Sequence, residues 1–256
     1  MPLFVRTIFA AALTAAGLSS PALADRMVLW TLVHDQCVVH ARAGEAPKPC
    51  EALDISQGED AGIAVLKDRE GVAQYLIIPT RRVTGIEDPF VLSKDAPPYF
   101  GAAWAARDRV AARLGQTLPR EAISIAVNSE FARSQDQLHL HVDCVDPVVM
   151  KALAADLATF DDHWRPMAEP LNGRVYWVRR VDSTDLSDVA PFELLADGLP
   201  GARQRMGLMT LVAVGASFSG KPGFVLLADH AELEAGGHGE DLQDHTCATA
   251  KGRTAN

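Results

Sequence analysis

Two histidines stand one residue apart, His139 and His141, inside the stretch NSEFARSQDQLHLHVDC. Apolar and polar residues alternate through the end of this stretch, a pattern typical of a half-buried β-strand. One face of the predicted strand then carries an amide, two imidazoles and a carboxylate. These residues are Gln137, His139, His141 and Asp143.

A row of this kind supports three kinds of chemistry. Two histidines at i and i+2 can bind a metal ion together with a carboxylate, here His139, His141 and Asp143. A neutral imidazole can attack phosphorus as a nucleophile near neutral pH. Two imidazoles can also act as general acid and base on a phosphodiester. The bland alternative, a solvated strand face, is less favoured because the preceding loop is crowded with hydrogen-bonding groups.

The elements around the histidine strand predict an α+β fold with a mostly antiparallel sheet, since strand pairs joined by short turns alternate with helices. Residues from 231 onward predict a polar, loop-like tail. Helices are predicted over 26–39, 99–114 and 147–160, and from Ser187 or Asp188 to 199. Strands are predicted over 62–67, 72–79, 122–129, 137–143, 173–181, 208–217 and 223–230.

The sequence of residues 1–24 is typical of a targeting segment, which we expect to be separate from the folded domain, residues 25–256. An apolar run over 7–18 follows Arg6, and Ala22-Leu23-Ala24 has the small-x-small pattern of a signal-peptidase site. The run is shorter than the roughly 20 residues that span a bilayer, and an uncleaved membrane anchor is the alternative. Either interpretation predicts an exported protein, periplasmic or attached to the inner membrane on its periplasmic side.

The composition bounds the function classes. The chain has 256 residues, 48% of them hydrophobic and 22% charged, as in an ordinary globular protein. Its formal net charge of −9 argues against a nucleic-acid partner, which usually meets a basic surface. No glycine-rich strand-to-helix loop of the dinucleotide or P-loop type is present in the sequence.

Four cysteines in an exported chain favour disulfides over free thiols. The sequence allows three pairings. We favour Cys37–Cys50, which closes a local loop, and Cys144–Cys247, which ties the tail to the residue just after the histidine strand. A zinc site is disfavoured because the chain has no C-x-x-C pair.

The motif resembles the signature of the histidine triad (HIT) superfamily of nucleotide hydrolases and transferases. That signature is an Asn, a Gly/Ser-Gln pair and a strand of alternating histidines and apolar residues. It aligns without a gap, except that Asp143 stands in place of the third histidine. The chain also resembles the CDP-diacylglycerol pyrophosphatases through LWTLVHDQCV, AVLKDREGVAQYLIIPTRRVTGIEDP, AVNSEFARSQDQLHLHVDC and LQDHTC.

This resemblance implies a HIT-like antiparallel sheet with flanking helices, and hydrolysis of CDP-diacylglycerol to CMP and phosphatidate without a metal or cofactor. His141 matches the nucleophile, and His139 is expected to orient the site and support the charge on it. The residues expected to bind phosphate oxygens are Asn128, Ser134, Gln135 and Arg133. Asp143 is expected to orient His141 or to accept a proton.

Several alternatives stay open at this level. In a second register, His139 becomes the middle histidine, but this needs a two-residue deletion in the motif. Other candidates for the second phosphate are Lys67, Arg81, Arg82 and, if Cys144 pairs with Cys247, His245. The substrate can instead be a soluble nucleotide, and a third hypothesis is an exported metal-binding protein. A lipid substrate implies docking on a membrane surface or retention of the N-terminal anchor.

Overall fold

The computed structural model describes residues 26–232 and 236–248. The predicted targeting segment, residues 1–24, lies outside the described residues. Within the described part, no helix combines the length and the apolar character that a membrane crossing needs.

Among the described residues, nine strands form a single sheet in which every neighbouring pair is antiparallel, so the predicted α+β class is confirmed. The strand order is β1-β2-β3-β5-β4-β8-β9-β7-β6. The strands are β1 (Ala52–Asp54), β2 (Ile63–Lys67), β3 (Tyr75–Pro79), β4 (Ile123–Val127), β5 (Leu140–Cys144), β6 (Arg165–Pro166), β7 (Trp177–Val181), β8 (Met209–Phe218) and β9 (Lys221–His230).

Five α-helices accompany the sheet in the part of the chain that the structure describes. They are α1 (Val28–Leu32), α2 (Val39–Arg42), α3 (Tyr99–Leu114), α4 (Pro147–Asp156) and α5 (Pro191–Gly198). A π-helical stretch, Val33–Val38, joins α1 to α2 so that the chain is helical from Val28 to Arg42. Helix α3 has the predicted bounds and ends at Gly115, whose φ of 67° is the left-handed conformation that glycine adopts without strain.

Three helices differ from their predicted bounds, and the first of them, predicted over 26–39, runs from Val28 to Arg42. Helix α5 does not begin at Ser187 or Asp188: the Ser187 N–H bonds to Asp185 Oδ1 at 2.8 Å in a local turn, and the helix starts at Pro191. Proline there has its φ fixed near the helical value and lacks an N–H that the first turn leaves unpaired. Helix α4 ends at Asp156, and a 3₁₀ turn carries the chain to Thr159.

The two predicted hairpins are present. Strands β2 and β3 pair from Ile63 opposite Pro79 to Lys67 opposite Tyr75. Strand β8 has the predicted length and is shifted by one residue, β9 begins two residues earlier than predicted, and the two strands meet at a two-residue turn, Ser219-Gly220. Both turn residues have positive φ, 50° and 79°, which matches the right-handed twist of the flanking strands.

The two faces of the sheet differ in what covers them. One face packs against α3 and α5 in the largest apolar cluster. The other face carries two smaller apolar clusters, one under the N-terminal helix and one under α4. Register places Leu76, His141 and Ala126 side by side on this second face, with Leu76 in one small cluster and Ala126 in the other. His141 therefore lies between two apolar clusters.

The prediction of a half-buried histidine strand is wrong, because β5 is covered on both faces. His139 is 7% exposed, His141 6% and Asp143 0%. The cover is the segment 237–247, here named the C-terminal strap, which runs across β4 and β5. It is attached through the disulfide Cys144–Cys247, and the second disulfide joins Cys37 to Cys50, so both favoured pairings are confirmed.

Candidate active site

The centre of the site is His141, whose two ring nitrogens have different surroundings. Its Nδ1 lies 2.9 Å from Glu240 Oε1. Its Nε2 is buried and has no hydrogen-bond partner among the described residues. A carboxylate only accepts, so the proton is assigned to Nδ1 and the lone pair is left on Nε2. This is the tautomer that a nucleophilic imidazole requires.

Glu240 is held by two amides. Asn128 Nδ2 donates to its Oε2 at 2.6 Å, and Gln74 Nε2 donates to its Oε1 at 3.1 Å. Burial raises the pKa of Glu240, but the hydrogen bonds from His141, Asn128 and Gln74 outweigh this effect and lower the pKa to about 2. Glu240 is therefore a carboxylate at every physiological pH.

His139 is a neutral neighbour of His141. The two rings meet edge to face with their centroids 4.7 Å apart. Burial, and then the closeness of His141, lower the pKa of His139 from 6.5 to about 4. Its Nδ1 lies 2.7 Å from the carbonyl oxygen of Gln137 and donates to it, which leaves Nε2 as the acceptor.

Asp143 bonds to His245 of the strap. Among the described residues it forms no hydrogen bond with His141, which corrects the prediction that Asp143 orients His141. Its Oδ2 accepts from His245 Nδ1 at 2.8 Å, and its Oδ1 accepts from the Cys144 N–H at 2.9 Å. Burial raises the pKa of Asp143, and the bond to Asp143 raises the pKa of His245. His245 Nε2 lies 4.0 Å from Glu240 Oε1, so the disulfide does bring His245 to the site as predicted.

Two predicted phosphate ligands have other partners. The Arg133 guanidinium is buried and forms ion pairs with Glu87, at 2.7 Å, and with Asp136, at 3.2 Å. Its charge is thus neutralised within the fold, and the prediction that it binds phosphate is not supported. The amide of Asn128 likewise bonds to Glu240 and accepts from the Gly239 N–H at 2.8 Å. Asp136 lies within the motif loop, three residues from Arg133, but Glu87, Gly239 and Glu240 are distant in sequence, and the motif gave no sign of them.

The remaining motif residues stay predictions as phosphate ligands. Ser134 is exposed in the loop before β5. Gln135 Oε1 accepts from the Leu29 N–H at 3.0 Å and Gln135 Nε2 donates to the Ser134 carbonyl at 3.1 Å. This loop therefore contacts the N-terminal helix.

The other basic candidates also have partners within the fold. Lys67 Nζ donates to the carbonyls of Asp68, at 2.6 Å, and Gly71, at 3.1 Å, and closes the turn of the first hairpin. Arg82 donates to Gln137 Oε1 at 3.1 Å. Arg81 stacks over a phenylalanine ring. Among the described residues, none of these three side chains forms a hydrogen bond or an ion pair with His141.

The geometry does not favour the metal-binding hypothesis. In residues 26–232 and 236–248, the ligand atoms of His139, His141 and Asp143 do not meet within 4.8 Å of one another. The groups that do meet are Asp143 with the disulfide cysteines, and an exposed set, Asp161, Asp162 and His163. Asp143 already binds His245 and disulfide sulfurs are not free thiolates, so the first group does not offer a tetrahedral set.

The sequence did not predict that Glu240 and Gln74 belong to the site, or that the strap, which carries Glu240, covers the histidine strand. Besides Glu240 and His245, the strap supplies Gln243, whose Nε2 donates to Ser124 Oγ at 2.9 Å and to the carbonyl of His141 at 3.1 Å. The one sequence signal was Cys247 at the end of a polar stretch, GEDLQDHTC.

Comparisons with known proteins cover most of the chain. A family model described as CDP-diacylglycerol pyrophosphatase matches residues 24–251. A CDP-diacylglycerol pyrophosphatase of Yersinia pestis is 45% identical over 221 residues, which cover 86% of this chain and 83% of the relative. The range matched by the family model includes both the histidine strand and the strap.

Proposed function

The chain belongs to the CDP-diacylglycerol pyrophosphatase family, and on that premise we propose that it hydrolyses CDP-diacylglycerol to CMP and phosphatidate with His141 as nucleophile. The observation that carries this proposal is the state of the His141 ring. Its Nδ1 is bonded to Glu240, and its Nε2 is buried and without a partner among the described residues.

The proposed reaction has two displacements at one phosphorus. His141 Nε2 attacks the phosphorus attached to cytidine, the N–P bond forms, and the bond to the bridging oxygen breaks. Phosphatidate leaves with that electron pair. Water then attacks the same phosphorus: a P–O bond forms, the N–P bond breaks with its electron pair returning to His141 Nε2, CMP is released and one proton of the water goes to solvent. Splitting one hard displacement into two easier ones is the gain of covalent catalysis.

The leaving group does not require a strong general acid. Phosphatidate is a phosphomonoester, and such groups have a second pKa of about 6, so the departing oxygen is a stable anion near neutral pH. His245 is our candidate to meet this phosphate, because its bond to Asp143 raises its pKa and so favours the charged form, and its side chain is 39% exposed beside Glu240. Ser134 and Gln135 remain the candidates for the phosphate that stays on the nucleotide.

His139 supports the nucleophile by staying neutral. The nucleotidyl-imidazole formed on His141 is a cation while Nδ1 keeps its proton. A second cation 4.7 Å away, the separation of the two ring centroids, would oppose its formation. With a pKa of about 4, His139 carries no such charge at neutral pH.

Two disulfides indicate an exported protein in an oxidising environment. We place it in the periplasm or on the periplasmic side of the inner membrane, with residues 1–24 as signal peptide or anchor. The acyl chains of the substrate then stay in a membrane or detergent surface while the headgroup enters the site.

A soluble nucleotide substrate, or transfer to an acceptor other than water, is the second candidate function. The same nucleotidyl-imidazole supports it, because any nucleophile that reaches the phosphorus can replace water. Products formed with and without added alcohol or phosphate separate hydrolysis from transfer. A soluble CDP-ester tested beside CDP-diacylglycerol separates the substrate classes.

The first experiment measures CMP release from CDP-diacylglycerol in detergent with EDTA present. We expect the wild type to be active and His141→Ala to be inactive, with His163→Ala, at an exposed histidine, as the matched control. An inactive His139→Ala beside an active His141→Ala selects the alternative register. Loss of wild-type activity in EDTA contradicts the metal-free mechanism.

A further inference from the structure

We propose that Glu240 is a positioning residue for His141: its carboxylate fixes the imidazole with Nε2 unprotonated and supplies the negative charge that stabilises the nucleotidyl-imidazolium. This inference rests on the proposed role of His141 and deepens it. It assigns a function to the C-terminal strap, which lies about one hundred residues beyond the histidine motif.

The geometry leaves Glu240 little freedom. Each carboxylate oxygen has its own amide donor, Gln74 on Oε1 and Asn128 on Oε2, and Oε1 also accepts from His141. A carboxylate held at both oxygens cannot rotate away from the imidazole. Asn128, the conspicuous first residue of the motif, therefore acts on Glu240.

The strap backbone is fixed beside the same contact. Gly239 donates its N–H to Asn128 Oδ1 at 2.8 Å. A Cβ at Gly239 would lie 2.8 Å from Thr210 Oγ1 and 3.0 Å from a methyl carbon of Val212, so only glycine lets the strap approach the sheet this closely. The residue after this close approach is Glu240, and the sheet surface thus sets its position.

The charge on Glu240 matters most after the attack. Once Nε2 is bonded to phosphorus and Nδ1 keeps its proton, the ring is a cation, and an anion 2.9 Å from Nδ1 favours that product. Charge-assisted hydrogen bonds are roughly twice as strong as neutral ones. An amide in place of the carboxylate keeps an acceptor but loses this charge, and its NH₂ group can also turn toward Nδ1 and favour the wrong tautomer.

The test compares Glu240→Gln, Glu240→Asp and Asp241→Asn. Asp241 is the matched control, since it is the neighbouring carboxylate on the same turn and is exposed. We expect Glu240→Gln to lower kcat by roughly 10²- to 10⁴-fold with KM little changed, as when a carboxylate behind a catalytic histidine is amidated. Glu240→Asp is expected to recover part of kcat, and Asp241→Asn to match the wild type.

A spectroscopic measurement separates positioning from general loss of structure. Nitrogen-15 NMR of the histidine side chains is expected to show His141 protonated on Nδ1 in the wild type and in Asp241→Asn. A mixture of tautomers is expected in Glu240→Gln with an unchanged circular dichroism spectrum. Thermal melting of each variant reports whether the fold is intact.

The outcomes distinguish this inference from the proposed function. If His141→Ala is inactive while Glu240→Gln folds and retains kcat within threefold, the inference fails and the nucleophile stands. A His141 tautomer that is unaltered in Glu240→Gln contradicts the inference as well. If His141→Ala keeps wild-type turnover, the proposed role of His141 as nucleophile fails, and the inference fails with it.

Discussion

At the scale of single residues, the two histidines of one strand differ because their partners differ. The Nδ1 of His139 bonds to the carbonyl oxygen of Gln137, whereas the Nδ1 of His141 bonds to the carboxylate of Glu240. Burial without an anionic partner lowers the pKa of His139 to about 4. One ring is therefore a neutral neighbour, and the other can bear the positive charge of a covalent intermediate.

The low pKa of His139 makes the fold sensitive to acid. A histidine with a pKa of 6.5 when unfolded and about 4 when folded adds stability above pH 6.5, and this stability is lost as the pH falls toward 4. The difference corresponds to roughly 3 kcal/mol, since each pKa unit is worth about 1.4 kcal/mol. We expect His139→Gln to lose less free energy of unfolding than the wild type between pH 7 and pH 4.5.

Urea denaturation at the two pH values measures this difference. The acid response of His163→Gln, at a histidine whose side chain is 84% exposed, is expected to equal that of the wild type. An equal loss of stability in His139→Gln and the wild type contradicts the account of His139. Because His245 is present in all three proteins, its own titration cancels in the comparison.

At the scale of elements, the structure assigns a disulfide-bonded strap to the active site. Cys144, which ends β5, bonds to Cys247 across 103 residues of sequence. Between these points, Glu240 contacts His141 and His245 contacts Asp143. The covalent link therefore fixes the C-terminal end of the strap, which carries two residues of the site, and the Gly239 N–H bond to Asn128 fixes its other end.

Removal of this disulfide is expected to reduce turnover as well as stability. We expect Cys144→Ala/Cys247→Ala to lower the free energy of unfolding by about 2–4 kcal/mol, because a large loop is no longer closed in the unfolded chain. A strap displaced by about 1 Å is expected to lower kcat by roughly 10²-fold. Activity and urea denaturation of the folded variant measure the two effects.

The matched control is Cys37→Ala/Cys50→Ala, which opens the other disulfide under the N-terminal helix. It is expected to lose stability while the kcat of the folded enzyme stays close to that of the wild type. Equal losses of kcat in the two double variants would show that the strap disulfide has no special role in the site.

The elements formed by local pattern could be predicted from the sequence, and the contacts between distant segments could not. The hairpin over 62–79 and the helix over 99–114 follow from periodicity and turn residues. Glu240 lies 166 residues from Gln74 and 112 from Asn128, and no local pattern predicts such contacts. Arg133 was misassigned for the same reason, because Glu87 is 46 residues away.

At the scale of the whole molecule, the largest apolar cluster and the candidate active site lie on opposite faces of the sheet. The largest apolar cluster lies on the face covered by α3 and α5, whereas His139, His141 and the strap lie on the other face. Substitutions in the large cluster are therefore expected to change stability without touching the reacting groups.

Leu226→Ala tests this separation. Leu226 is 0% exposed in β9 and belongs to the cluster on the α3 face. We expect a loss of about 2–5 kcal/mol in the free energy of unfolding, since a buried leucine leaves a cavity. The kcat of the folded fraction, measured well below the melting temperature, is expected to stay within twofold of the wild type. A tenfold loss of kcat in a fully folded sample would show that the two faces are coupled.

The most direct measurement is to trap the covalent intermediate. Wild-type enzyme is mixed with CDP-diacylglycerol, quenched within milliseconds at alkaline pH, digested and analysed by mass spectrometry. We predict a cytidylyl group on the peptide that contains His141, attached to that ring and absent from His141→Ala. A label on His139, a phosphatidyl group in place of the cytidylyl group, or full turnover in His141→Ala would contradict the account.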